Sequence, residues 1–245
     1  MVNDSQILTF VPSGDSAFII KAGDNISIET NRIIRKLLLR IDKENLDGII
    51  DLIPSYNELM ICYDPQKIGF RRLLDALKSL SKEIEPIELP LSSIIHVPVV
   101  YGDEFGLDLS EVAVYNGLTN EEVVRIHFSV DYLVYMLGFT PGFCYLGGMD
   151  ERIATPRKKT PRTKIPAGAV GIADKQTGIY PIESPGGWQL IGITPLKLFD
   201  PNRKPEFLIQ AGDYIRFSPI SKNEFHSVQL QVASGEYTLI KEAHK

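Results

Sequence analysis

The chain has 245 residues, 44% hydrophobic and 23% charged, and its 26 basic and 31 acidic side chains leave a net charge of −5. That length holds one large domain or two modest ones, and the composition is that of a packed globular chain. An acidic balance excludes a general nucleic-acid or anionic-membrane surface, which needs a field of positive charge, so any anion site must be local.

The opening MVNDSQILTF has no basic stretch ahead of an apolar one, and no apolar run approaches the roughly 20 residues that span a bilayer. A cytoplasmic protein is expected. The runs ILTFVP and SAFIIKAG flank Gly14-Asp15 as two strands about a turn. In ISIETNRIIRKLLLRIDKEN, Ile33, Ile34, Leu37, Leu38 and Ile41 form one helical stripe. GIIDLIP and ELMICYD, joined by Pro54-Ser55-Tyr56-Asn57, are two further strands, and IGFRRLLDALKSL is a second amphipathic helix. The order strand, strand, helix, strand, strand, helix fits a small α+β sandwich with its helices on one face. The polar segment SKEIEPIELPLSS, with Pro86 and Pro90, is the expected linker. It divides residues 1–88 from residues 89–245.

Beyond it, IIHVPVVYG is a strand and DLSEVAVYNG and LTNEEVVRIHFS are short helices, the second with Thr119 and Glu122 at capping-box spacing. From Asp131 onward helix signals vanish. YLVYMLGF, GAVGIAD, TGIYPI, WQLIGITP, PEFLIQ, DYIRFSP and SVQLQVAS read as short strands separated by Gly or Pro, as in an antiparallel barrel or sandwich.

Several residue groups carry candidate chemistry. Arg157, Lys158, Lys159, Arg162 and Lys164 gather positive charge around two Pro-Arg dipeptides, and guanidinium forks held by rigid turns suit a carboxylate or phosphate. The alternative is a solvated basic loop. His127, between Ile126 and Phe128, is a candidate for proton transfer, or else a packed, hydrogen-bonded helix residue. In Ser184-Pro185-Gly186-Gly187-Trp188 two glycines bring the backbone close to a ligand and offer N–H groups to an oxyanion; the alternative is a β-bulge with Trp188 in the core. Cys62 and Cys144 form no CxxC, and Cys144 reads as a small packed hydrophobe. No HxH or HExxH supports a metal, and Gly14-Asp15-Ser16 lacks the Lys of a phosphate loop.

Taken in order, GFTPGFCYLGG, PRKKTPR, IPAGAVGIADKQTGIYP and SPGGWQLIGITPLKLFD, with Pro12, Gly14, Asp15 and Ala17 near the start, resemble the allophanate hydrolase subunit 1 family. That family includes a kinase A inhibitor and the B subunit of bacterial 5-oxoprolinase. Ala169 and Asp174-Lys175 depart from its usual serine and glycine-containing turn. The resemblance implies a ferredoxin-like α+β domain followed by a cyclophilin-like β-barrel. It also implies two partners, a second cyclophilin-like barrel of the C type and a third chain of the A type. With them the complex opens 5-oxoproline to glutamate at the expense of ATP; no ATP site is expected on this chain and no cofactor is bound by it. Residue chemistry suggests Arg157 and Arg162 for the substrate anion, Gly186 and Gly187 for backbone donors, and His127 for proton transfer. Phe139, Pro141, Phe143 and Trp188 are the expected partner-binding surface. The alternative implied function is docking on a sensor histidine kinase to suppress its autophosphorylation.

Overall fold

The structure, a computed structural model, describes residues 8–244. The chain forms two compact units that meet in sequence between Pro90 and Leu91.

The first unit is a four-stranded antiparallel sheet with two helices on one face. Its elements are β1 (Leu8–Pro12), β2 (Ala17–Ala22), α1 (Ile28–Glu44), β3 (Ile49–Pro54), β4 (Glu58–Tyr63) and α2 (Phe70–Leu80). The sheet order is β1-β2-β4-β3. Helix α1 starts where Ser27 and Thr30 cap each other reciprocally and ends at Asn45 in the left-handed region. Alternation sends Phe18, Ile20, Leu59 and Ile61 inward against Ile34, Leu37, Leu73 and Leu77, all of them buried. Each such side chain contributes about 1.5–3 kcal/mol on leaving water. A ferredoxin-like chain runs βαββαβ, whereas this one runs ββαββα, with the edge strand β1 supplied from the N-terminal side.

The second unit contains β5 (Ser93–Tyr101), α3 (Leu109–Asn116), α4 (Asn120–Phe128), β6 (Asp131–Leu137), β7 (Cys144–Gly147), β8 (Arg162–Ile165), β9 (Ala169–Ala173), β10 (Gln176–Ile179), β11 (Ser184–Gly186), β12 (Gln189–Ile193), β13 (Tyr214–Pro219), α5 (Lys222–Ser234) and β14 (Lys241–Ala243). Seven strands follow the order β10-β9-β12-β5-β13-β6-β7, and β10 returns beside β7, so the sheet closes almost into a barrel. Closure leaves few unpaired strand edges. Among the described residues only β13 and β5 pair in parallel. Strands β8 and β11 form a separate ribbon carrying the Arg162 and Gly186 segments, and β14 pairs with the start of β5.

Two sequence expectations fail here. SVQLQVAS belongs to helix α5, not to a strand: Ser221 and Glu224 form a capping box before it and Gly235 closes it in the left-handed region. The S-x-x-E spacing was the available signal. PEFLIQ forms no strand, only a single bridge between Phe199 and Phe207. Among the described residues no helix is long and apolar enough to cross a membrane.

Candidate functional site

The segment from Gly138 to Gly148 turns β6 into β7. Gly138 N–H donates to Phe143 C=O (3.1 Å), and Phe143 N–H to Thr140 C=O (3.0 Å), closing the loop on itself. The turn forces Phe139 to φ 65°, the left-handed region that an aromatic residue rarely adopts. Phe139 is 70% exposed. Phe143 is instead buried and meets Tyr180, Trp188 and Tyr145 edge to face at 5.8, 5.6 and 5.1 Å between centroids. Such geometry sets the positive ring edge against the negative ring face.

The second motif closes the other side. The ideal Cβ of Gly186 would stand 2.3 Å from the Tyr180 hydroxyl oxygen, so only glycine fits there. Gly187 C=O accepts from Lys158 N–H at 2.7 Å, which ties the glycine pair to the basic loop. Between the two motifs lies a cavity of about 140 Å³ whose walls include Phe139, Phe143, Tyr180, Gly186, Gly187 and Trp188, with Arg157 at its edge. A shallower recess of about 260 Å³, bounded by Pro141 and Phe207, lies on the far side of Phe139.

Arg157 is held by backbone pairing of nearby Thr155 with Asp174 (2.8 and 3.1 Å) and by an exposed ion pair to Asp174 at 3.4 Å. An exposed pair of this kind is worth at most about 1 kcal/mol, so the guanidinium can turn toward an anion in the cavity at small cost. Tyr180 completes the set, and sequence reasoning passed over it because IYPI reads as the end of a strand. Tyr180 is buried among its neighbours and lines the cavity. Burial raises its pKa, against the Trp188 backbone and the charges of Arg157 and Arg162. The cavity therefore offers one cation, one phenolic donor and an aromatic wall.

The structure places three of the expected groups as follows. Arg162 does not line the cavity: its Nη2 donates to Asp108 Oδ1 at 2.6 Å, where Lys158 Nζ also donates at 3.1 Å, while Asp108 Oδ2 accepts Leu190 N–H at 2.7 Å. Burial pushes the Asp108 carboxyl up, but the bonds from Arg162, Leu190 and Lys158 outweigh it and hold it below its usual value. Arg162 is a bracket that anchors the basic loop to β12. His127 is fully buried. Thr177 gives its one proton to Gly171 C=O (3.0 Å), so it must accept from His127 Nε2–H (2.8 Å), and Tyr101 O–H then donates to Nδ1 (2.9 Å). Both ring nitrogens are satisfied inside the barrel, and burial lowers the pKa to about 3. Phe143 and Trp188 are buried parts of the cavity and not an open docking surface; Phe139 and Pro141 alone of that group are exposed.

Cys144 is buried, and burial pushes its thiol up to about 12, so it packs and does not attack. Among the described residues no group of three or more His, Cys, Asp or Glu side chains is placed to hold a metal ion.

Residues 8–209 match the family model described as the carboxyltransferase domain, subdomain C and D. The B subunit of 5-oxoprolinase from Bacillus subtilis (strain 168) is 44% identical over 225 residues, which cover 87% of this chain and 93% of that protein. A solved protein from Pyrococcus horikoshii, PH0987, is 48% identical, with a TM-score of 0.53 over 89% of this chain and all (100%) of its own. The crystal structure of TTHA0988 is 39% identical, with a TM-score of 0.74 over 84% of this chain; the present chain spans 40% of that longer one. The likeness bears out the resemblance carried by the Gly138–Gly148 and Ser184–Asp200 motifs. The chain belongs to the carboxyltransferase-domain family of subdomains C and D, together with the B subunits of 5-oxoprolinase.

Proposed function

We propose that this chain is the B-type component of an ATP-dependent 5-oxoprolinase, which opens 5-oxoproline to glutamate together with a partner barrel of the C type and a third chain of the A type. The observation that carries the reading is the aromatic cavity with Arg157 at its rim and the Tyr180 phenol in its wall. 5-Oxoproline is a small flat lactam with one carboxylate. In this reading Arg157 takes the carboxylate, Phe143 and Trp188 cover the ring faces, and Tyr180 O–H donates to the lactam oxygen as negative charge gathers there. A lactam is resonance-stabilised, and ATP supplies the activation of its carbonyl; the nucleotide is assigned to a partner, because no phosphate-loop motif stands in this sequence. The barrel is read as cyclophilin-like on the strength of the family resemblance.

The chain mixed with its two partners, 5-oxoproline and ATP should release glutamate, and the chain alone should release next to none. No glutamate from an intact three-component complex overturns the assignment.

A second reading, docking on a sensor histidine kinase, is favoured by one observation: Phe139 is held outward in a left-handed backbone beside exposed Pro141. Phe139→Asp should then abolish inhibition of kinase autophosphorylation; unchanged inhibition excludes this surface.

A further inference from the structure

The sheet of the first unit turns one face to its helices and the other to solvent. On the solvent face, Val11 lies opposite Ile19, Ile19 opposite Met60, and Met60 opposite Ile53. One apolar side chain from each of the four strands thus stands in a single row across the whole sheet. Val11 is 43% and Ile53 47% exposed, while Ile19 and Met60 between them are half-buried. An open sheet face normally carries polar residues at these alternate positions. This row is instead apolar from edge to edge, a feature that neither the core nor the cavity of the second unit uses.

We infer that this face is an interface with a second copy of the same chain, packed sheet on sheet. The argument is its self-complementarity. The next row along the strands sets Lys21 directly opposite Glu58. A two-fold axis parallel to the strands and midway between β2 and β4 exchanges β1 with β3 and β2 with β4. It lays Val11 on Ile53 of the second copy, Ile19 on Met60 of the second copy, and Lys21 on Glu58 of the second copy. The same operation repeats each contact in reverse, as an isologous interface requires. Aligned sheets pack in this way at about −30°. In a single chain Lys21 has Asp24 as its ion-pair partner at 3.0 Å; in the pair it gains the opposite charge of the second copy as well.

The test is the mass of the whole chain by sedimentation and by light scattering across a dilution series. The wild type is expected to be a dimer. Val11→Glu with Ile53→Glu should shift it to monomer, with association weakened at least about tenfold and the circular-dichroism melt showing a retained fold. Lys21→Glu and Glu58→Lys decide whether the occupant is a second copy. Each variant alone sets like charges against like across the two-fold, so each should weaken its own dimer. Mixed, they should associate with each other. The acid introduced at position 21 then faces the lysine introduced at position 58, and the native Lys21 of one chain faces the native Glu58 of the other. An effect within one chain would not be rescued by mixing. A wild type that stays monomeric, a dimer indifferent to the Val11 and Ile53 changes, or a mixture that behaves as two separate species each overturns the proposal.

Discussion

Gly186 and Tyr180 are matched to each other: a Cβ on Gly186 would lie 2.3 Å from the phenolic oxygen of Tyr180, and it would also crowd Ile165 Cδ1 at 2.9 Å. The missing side chain is what lets the phenol reach the cavity wall. Gly186→Ala should displace the phenol, cost about 1–3 kcal/mol in stability as overpacking does, and abolish 5-oxoproline binding measured by calorimetry on the assembled complex. Gly187→Ala meets nothing nearer than Lys158 C=O at 3.5 Å and should bind normally. Equal loss in both variants would separate the cavity from the substrate.

Tyr180→Phe keeps the ring packed against Phe143 and Trp188 and removes only the hydroxyl. If the phenol donates to the lactam oxygen as charge develops, kcat for glutamate release should fall by about 100-fold with KM little changed. A change confined to the thermal melt, with kcat intact, would leave Tyr180 a packing residue.

The elements of this fold were largely legible in sequence because their periodicities are clean: Ile34, Leu37 and Ile41 on α1 and the alternation of β2 and β4 are local signals. The cavity was legible in part for the same reason, since dense glycine and proline in two distant segments mark loops that must meet something. What stayed hidden is long-range. Whether Arg157 or Arg162 faces the cavity depends on Asp108, 54 residues before Arg162 in the chain, which claims that arginine through a 2.6 Å bond. His127 looked reactive because its partners Tyr101 and Thr177 come from other elements. Helix α5 was missed for a different reason: VQLQV alternates like a strand, and only the Ser221–Glu224 cap gives it away.

The two arginines should therefore separate cleanly. Arg157→Ala removes an exposed side chain, so the melt should hold within about 0.5 kcal/mol, while KM for 5-oxoproline rises about 10- to 100-fold from the loss of one charged hydrogen bond. Arg162→Ala leaves the buried Asp108 with Lys158 and the Leu190 amide only. It should destabilise the chain by about 2 kcal/mol, and any loss of activity should recover at lower temperature. Differential scanning calorimetry with steady-state kinetics on both variants checks this. The reverse pattern would return anion binding to Arg162.

His127 gives the fold an acid sensitivity whose sign follows from its burial. In the folded chain its pKa is lowered to about 3 by desolvation, against an ordinary value of 6.5. Above about 6.5 the ring is neutral in both folded and unfolded chains and its hydrogen bonds to Tyr101 and Thr177 contribute in full. As pH falls below that value only the unfolded chain takes up the proton, so stability drops by about 1.4 kcal/mol per pH unit until the folded pKa is reached. His127→Gln keeps a donor and an acceptor but cannot be protonated. It should cost about 1–3 kcal/mol at neutral pH, flatten the fall in stability between about pH 6.5 and 5 in urea titrations, and leave the pH profile of kcat unmoved. A shifted kcat profile would put His127 back in the proton transfer from which its burial removes it.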